Sequence, residues 1–213
     1  MSIKENVCIL GDASKILQSE DFVNRRFDAI VTGIPDMDEI KALSRSKKRY
    51  MQWVIKILHL LFEKISEKGY LIFLQTDRKK NGEWIQKSNL ISSCAAEAGF
   101  RCMWHKIMLY RDPGKIHLQR PTYGHILCFS LHGTPGKSFP DVIFADHRIY
   151  KNGTPIQPLE HICRFLQEKA IDHILDPFAG MGTIAMVCNK YDISSTNIEI
   201  NRNVYKKLVK NIQ

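Results

Sequence analysis

The chain has 213 residues, 44% of them hydrophobic and 25% charged, the composition of one soluble globular domain over 1–213 with room for a central sheet covered on both faces. Its net charge of +9 points to an anionic partner, nucleic acid first. No apolar run reaches membrane-spanning length, and the opening Met-Ser-Ile-Lys-Glu-Asn lacks a signal peptide's apolar core.

Asn6–Leu10 reads as a short strand ending in Gly11-Asp12, and Ala13–Ser19 as a helix. Phe27–Thr32 is a second strand, apolar apart from Asp28, that ends at Gly33-Ile34-Pro35-Asp36. The basic cluster Arg45, Lys47, Lys48 and Arg49 precedes a helix over Tyr50–Ser66, where Trp53, Ile57, Leu60, Leu61 and Ile65 recur at helical spacing. Lys68-Gly69 closes that helix, and Tyr70–Gln75 is a third strand running into Thr76-Asp77 and the basic Arg78–Lys80. Trp84–Ala98 is expected to be a second long helix, capped by Gly99. Phe100–Tyr110 and His125–Leu131 are expected to form a hairpin.

The connection between those two strands, Arg111–Gly124, carries Pro113, Gly114, Pro121 and Gly124. Loops of that length are often functional or disordered, and 111–124 is expected to face the substrate. His132–Lys151 reads as irregular, Pro158–Ala170 as a helix, Ile171–Leu175 as a short strand and Arg202–Lys210 as a basic final helix. Strands alternating with helices imply an α/β fold with a doubly wound, mostly parallel sheet, and the hairpin supplies an antiparallel edge. Six cysteines without Cys-x-x-Cys pairs favour free buried thiols over disulfides or a metal site. A reducing cytoplasm is therefore expected, or the nucleus in a eukaryotic cell, with no membrane association.

The most informative stretch is Asp176-Pro177-Phe178-Ala179-Gly180-Met181-Gly182-Thr183, followed by Thr196-Asn197-Ile198-Glu199-Ile200. It reads as strand, glycine turn, helix, strand, acid. The glycines allow a tight turn and close approach of backbone to a ligand. A carboxylate at the tip of the next strand can accept both hydroxyls of a ribose, the logic of a nucleoside-cofactor site in an open sheet. The pattern is neither Gly-x-Gly-x-x-Gly nor a triphosphate loop.

The string resembles the cofactor loop of S-adenosyl-L-methionine-dependent amino-methyltransferases. The chain order, with that loop near the end, is similar to the permuted enzymes of the DNA adenine-N6 and cytosine-N4 type. The resemblance extends through Gly11-Asp12, Tyr50 and Trp53, Gly99-Phe100, Trp104-His105-Lys106, Gly124-His125-Ile126-Leu127 and Pro155-Ile156-Gln157-Pro158-Leu159-Glu160. It implies a Rossmann-like fold and S-adenosyl-L-methionine as cofactor. By resemblance, Asp176, Phe178, Gly180, Gly182 and Thr183 wrap the cofactor's methionine part, Glu199 holds the ribose and Asp12 binds the adenine amino group.

One segment departs from the resemblance. Where those enzymes carry Asp/Ser-Pro-Pro-Tyr, this chain has Gly33-Ile34-Pro35-Asp36. Gly33 stands in place of the polar residue that accepts a hydrogen bond from the target amine, Asp36 in place of the stacking aromatic, and Pro35 is retained. The chemistry needs such an acceptor, because an exocyclic amine must pyramidalise before its lone pair can attack a sulfonium methyl. Asp36 is the expected replacement, with Asp77 next; helix capping is the competing role for Asp36 and Asp38. Lys106, Arg111, Lys115 and Arg120 are expected to hold nucleic acid, DNA or RNA. Three functions stay open: a methyltransferase for a nucleic-acid amino group, a degenerate subunit that binds nucleic acid or scaffolds a partner or second copy, and a methyltransferase for a small molecule or protein.

Overall fold

The structure is a computed structural model that describes residues 5–40, 42–44, 46–80, 82–118, 120–145, 147–150 and 153–212. In chain order its elements are β1 (Val7–Leu10), α1 (Ala13–Ile16), α2 (Glu20–Val23), β2 (Phe27–Thr32), a 3-10 turn (Met37–Glu39), α3 (Lys47–Lys64), β3 (Ile65–Gln75), β4 (Arg78–Lys80) and β5 (Glu83–Ile85). They continue with α4 (Lys87–Glu97), β6 (Arg101–Leu109), β7 (Tyr123–Ser130), β8 (Val142–Phe144), α5 (Ile156–Glu168), β9 (His173–Asp176), α6 (Thr183–Asn189), β10 (Ser194–Glu199) and α7 (Arg202–Ile212). Arg45 of the first basic cluster lies outside the described residues.

Among the described residues, eight strands form one sheet in the order β1-β10-β9-β2-β3-β7-β6-β8. The first five are mutually parallel, β7 is antiparallel to both β3 and β6, and β8 adds parallel to β6. This is the mixed, mostly parallel sheet that the alternation of elements implies.

The period of two along β3 divides its side chains between two cores. Leu71 and Phe73 pack with Tyr50, Val54, Ile57 and Leu61 of α3 and Ile91 of α4. Tyr70, Ile72 and Leu74 pack with Ile162, Cys163 and Leu166 of α5 and Ile184 and Val187 of α6. On α3, Val54, Ile57, Leu58 and Leu61 recur at helical spacing and are 0–1% exposed, together worth on the order of 6–12 kcal/mol of apolar burial. Leu208 and Ile212 of α7 close over Ala179 and Ala185.

Several elements differ from the sequence reading. Helix α3 begins three residues early, at Lys47, because the Ser46 hydroxyl accepts from the Arg49 N–H at 3.3 Å. Lys68-Gly69 does not close a helix: β3 runs through it, and a side chain at Gly69 would meet the Asp28 carbonyl at 2.9 Å. Trp84 is in a strand, because Arg78–Lys80 pairs antiparallel with Glu83–Ile85 across Gly82, whose φ is +78°. Within the stretch expected to be irregular, Val142–Phe144 forms β8. Cys102 is exposed and Cys8 half-buried, while Cys94, Cys128, Cys163 and Cys188 are buried as expected. No helix among the described residues is long and apolar enough to cross a membrane.

Candidate cofactor and substrate site

Strands β9 and β2 are neighbours, but the chain leaves them in opposite directions across the sheet, β9 through α6 to β10 and β2 through α3 to β3. Ligands of open α/β sheets lie outside the carboxyl ends of the strands at such a switch point. The ends of these two strands are Asp176 and Gly33–Asp36. They are tied directly: the Thr32 hydroxyl donates to the Asp176 carboxylate at 2.7 Å.

Asp176 is 1% exposed and also accepts from the Phe178 N–H at 3.1 Å. Burial above all raises its pKa to about 7. It shapes the turn from within rather than facing solvent. Beyond it the backbone turns through Gly180 (φ +55°) and Gly182 (φ +86°). A side chain at Gly180 would meet nothing within 4 Å, so an open space lies in front of the loop. A side chain at Gly182 would strike Leu208 of α7 at 2.7 Å. Phe178 packs on Trp53 of α3 with ring centroids 5.9 Å apart. Thr183 is buried at the start of α6.

Glu199 ends β10 beside Leu10, which ends β1. Its Oε2 accepts from the Gly180 N–H at 3.0 Å and its Oε1 from the Asn201 N–H at 2.7 Å. Burial raises its pKa against these stabilising N–H bonds. The Ile200 N–H is a third backbone donor to the carboxylate; since a carboxylate offers about four lone-pair sites, Glu199 keeps acceptor capacity for a hydroxyl donor. Asp12, two residues past the end of β1, caps α1: its Oδ1 accepts from the Ser14 N–H at 2.9 Å and the Ser14 hydroxyl at 2.7 Å. The topology therefore gathers Asp12, the 176–183 loop and Glu199 on one sheet end.

The segment Gly33–Asp36 is clamped by Tyr50, a residue of the resemblance, and by Gln75 and Lys87, which the sequence reading did not single out. Gln75 brackets Ile34, accepting from its N–H at 2.9 Å and donating to its carbonyl at 3.3 Å. Tyr50 donates its hydroxyl to the Pro35 carbonyl at 2.7 Å, and burial raises that phenol's pKa. Lys87, with a side chain only 2% exposed, donates to the Ile34 carbonyl at 3.3 Å and pairs with Asp36 Oδ1 at 2.5 Å. Burial lowers the Lys87 pKa while Asp36 opposes the shift.

Asp36 Oδ2 faces two more cations, Arg78 at 3.0 Å and Arg120 at 3.3 Å. The Asp36 N–H donates to Glu39 at 2.7 Å, so Asp36 also caps the 3-10 turn. Asp38 pairs with Arg78 and Lys80, which hold its carboxyl below the usual range, the Lys80 hydrogen bond first. Asp77 serves another element: its two oxygens accept from the N–H and hydroxyl of Ser88 at 3.0 and 2.8 Å, fixing the start of α4.

The four cations separate into two groups. Arg111, Lys115 and Arg120 lie on the exposed loop between β6 and β7. Lys106 does not join them: it is 6% exposed, donates to the Phe139 carbonyl at 2.9 Å and pairs with Asp141 at 2.6 Å. Of the residues missed, Gln75 left a signal, a polar side chain at the inner end of an apolar strand. Lys87 left none, since a lysine at a helix start reads as solvent-facing.

This strand order, with a glycine loop and a strand-end acid at its switch point, defines the Rossmann-like methyltransferase fold. Solved structures share it over the whole chain. TTHA0409 from Thermus thermophilus, described as a candidate DNA modification methylase and crystallised with S-adenosyl-L-methionine, superposes with a TM-score of 0.76 at 16% identity, covering 98% of this chain and 93% of that one. The M1.HpyAVI complex with the same cofactor gives 0.69 at 15% identity, over 98% and 100%. The cytosine-N4-specific PvuII DNA methyltransferase gives 0.76 at 13% identity, over 99% and 87%. Neither a protein-family model nor a curated protein matches the sequence.

Proposed function

We propose that this chain is an S-adenosyl-L-methionine-dependent methyltransferase acting on an exocyclic amino group of a nucleic-acid base, DNA or RNA. The observation that carries the reading is the placement of Asp12, the Asp176–Thr183 loop and Glu199 at the same end of three adjacent strands, β1, β9 and β10, with the loop at the switch point. The residues fit the cofactor: Gly180 opens on free space, and Glu199 retains acceptor capacity beside it. Bound there, the cofactor supplies an electrophilic methyl group on a sulfonium. Glu199 takes the ribose hydroxyls, Asp12 the adenine amino group, and Phe178, Gly180, Gly182 and Thr183 shape the wall. Asp36 is the acceptor for the target amine. To serve, it must exchange one cation for the base, and Arg120 is the one that leaves, being 47% exposed where Arg78 and Lys87 are 18% and 2%.

A second reading rests on the clamp. The Ile34 and Pro35 carbonyls and both Asp36 oxygens already have donors within the chain. That arrangement favours a degenerate subunit that binds nucleic acid or scaffolds a partner or second copy that carries the chemistry. Calorimetric titration with S-adenosyl-L-methionine, followed by labelled methyl transfer to DNA and to RNA, separates the two. Micromolar binding with transfer supports the enzyme; binding without transfer supports the subunit; absence of cofactor binding refutes the enzyme.

A further inference from the structure

At the amino ends of β2 and β9, opposite the sheet end that carries the glycine loop, lies a recess of about 150 Å3. Phe27, Ile171 and His173 line it, and its charged groups are Arg25, Arg26, Asp28 and Asp172. The His173 ring stacks on Phe27 with centroids 6.2 Å apart, and its two nitrogens lie 2.9 Å from the Ser194 and Thr196 hydroxyls. Burial first, then the Arg25 charge, holds the His173 pKa below its usual value. The cations of the recess are therefore the two arginines. The Arg25 guanidinium lies over the rings of Phe22 and Phe27, 4.8 and 5.4 Å from their centroids, and forms no ion pair among the described residues. Arg26 donates from Nη1 to the Val23 and Arg25 carbonyls at 3.2 and 3.1 Å, which leaves others of an arginine's five N–H donors for a further acceptor. Of the acids, Asp28 accepts from the Ser66 hydroxyl of β3 at 2.7 Å.

We propose that this recess binds a small oxyanion, phosphate or a phosphate monoester, on the Arg25 and Arg26 guanidinium groups. A guanidinium presents its donors as a planar fork that matches oxyanion geometry. Two aromatic rings fix the Arg25 fork in advance, so little side-chain freedom is lost when the anion arrives. The volume is that of about five waters at roughly 30 Å3 each, enough for the five heavy atoms of phosphate. Apolar walls on one side weaken the screening of the charges and strengthen the attraction. The site lies beyond the methyltransferase reading and does not depend on it: the cofactor loop and the Asp36 clamp are at the other end of the sheet.

The test is calorimetric titration of the full chain with inorganic phosphate, at ionic strength held constant with chloride. The wild-type chain should bind at about millimolar strength. Arg25→Gln should weaken binding about fivefold or more, and Arg25→Lys should not restore it, because the fork is lost while the charge is kept. Asp172→Asn should strengthen binding about twofold or more by removing a negative charge from the rim. Lys206→Gln with Lys207→Gln, on the exposed face of α7, should leave it unchanged. An Arg25→Gln variant that binds like wild type overturns the site, as does an equal loss in the α7 variant or an absence of binding at tens of millimolar phosphate. Displacement of phosphate by ribose 5-phosphate supports an esterified source, and failure to displace it supports the free anion; both keep the site. S-adenosyl-L-methionine titration of the Arg25→Gln variant should match wild type, so the two readings fail separately.

Discussion

Gly33 is the position at which the resembled enzymes carry their polar acceptor, and the structure predicts that restoring one there fails. A Cβ built on Gly33 lies 2.9 Å from the Leu74 carbonyl oxygen, where ordinary contacts begin near 3.4 Å. The oxygen belongs to backbone, and Leu74 is held in the ladder opposite Ile126. Gln75 also fastens the two segments together through Ile34. A shift of about half an ångström in this packed region costs about 1–3 kcal/mol. The loss of glycine's freedom in the unfolded chain returns about 0.4–1 kcal/mol. The net for Gly33→Ala is a destabilisation of about 1–2 kcal/mol, or roughly 2–8 °C in melting temperature for a chain of this size. Gly33→Asp should melt lower still and gain no methyl transfer. Thermal melts by circular dichroism and a labelled transfer assay check both. A Gly33→Ala variant that melts at or above wild type, or a Gly33→Asp variant with increased transfer, refutes the steric argument.

Glu199→Ala should weaken S-adenosyl-L-methionine binding at least tenfold, about 1.4 kcal/mol or more, by removing the acceptor proposed for the ribose; equal calorimetric affinities refute the assignment. Folding raises the Asp176 carboxyl from 3.8 to about 7, so the folded chain holds that proton more tightly. The contribution to stability is complete below about pH 4 and is lost as pH rises through 7, by about 4 kcal/mol at most. Urea unfolding at pH 5 and pH 8 should therefore show a larger loss for wild type than for Asp176→Asn, and parallel losses refute it. Lys87→Met removes the most buried of three cations around Asp36. With Arg78 and Arg120 still in place, the cost should be about 2–3 kcal/mol, at or below the low end for breaking a buried pair. An unchanged urea midpoint contradicts the clamp.

The parts of the molecule legible in the sequence were those governed by local pattern. The order of strands and helices, the glycine loop and the strand-end acid each follow from spacing over a few residues. The strand from Arg78 to Lys80 was harder: its apolar content is nil, and only the Asn81-Gly82 pair signals a hairpin. The clamp around Gly33–Asp36 was not legible, because its members, Tyr50, Gln75, Arg78, Lys87 and Arg120, come from separate elements and meet only through the fold. Lys106 illustrates the same limit. Its neighbours His105 and Ile107 alternate away from it, and the buried face it occupies is set by Phe139 and Asp141, more than thirty residues on.

The pairing of β1 with β10 has a consequence for how the protein is made. Val7 finds its partner Thr196, and Leu10 its partner Glu199, only after residues 11–195 between the two strands have been synthesised. At about 5–20 residues per second, the first strand leaves the ribosome roughly 10–40 s before its neighbour exists. During that interval its apolar side chains and open backbone groups lack their native cover. The hydrogen bond from the Gly11 N–H to the Glu199 carbonyl, at 3.0 Å, thus forms only once β10 has been made. Any ligand that touched both strand ends would therefore select chains in which β1 has already paired with β10.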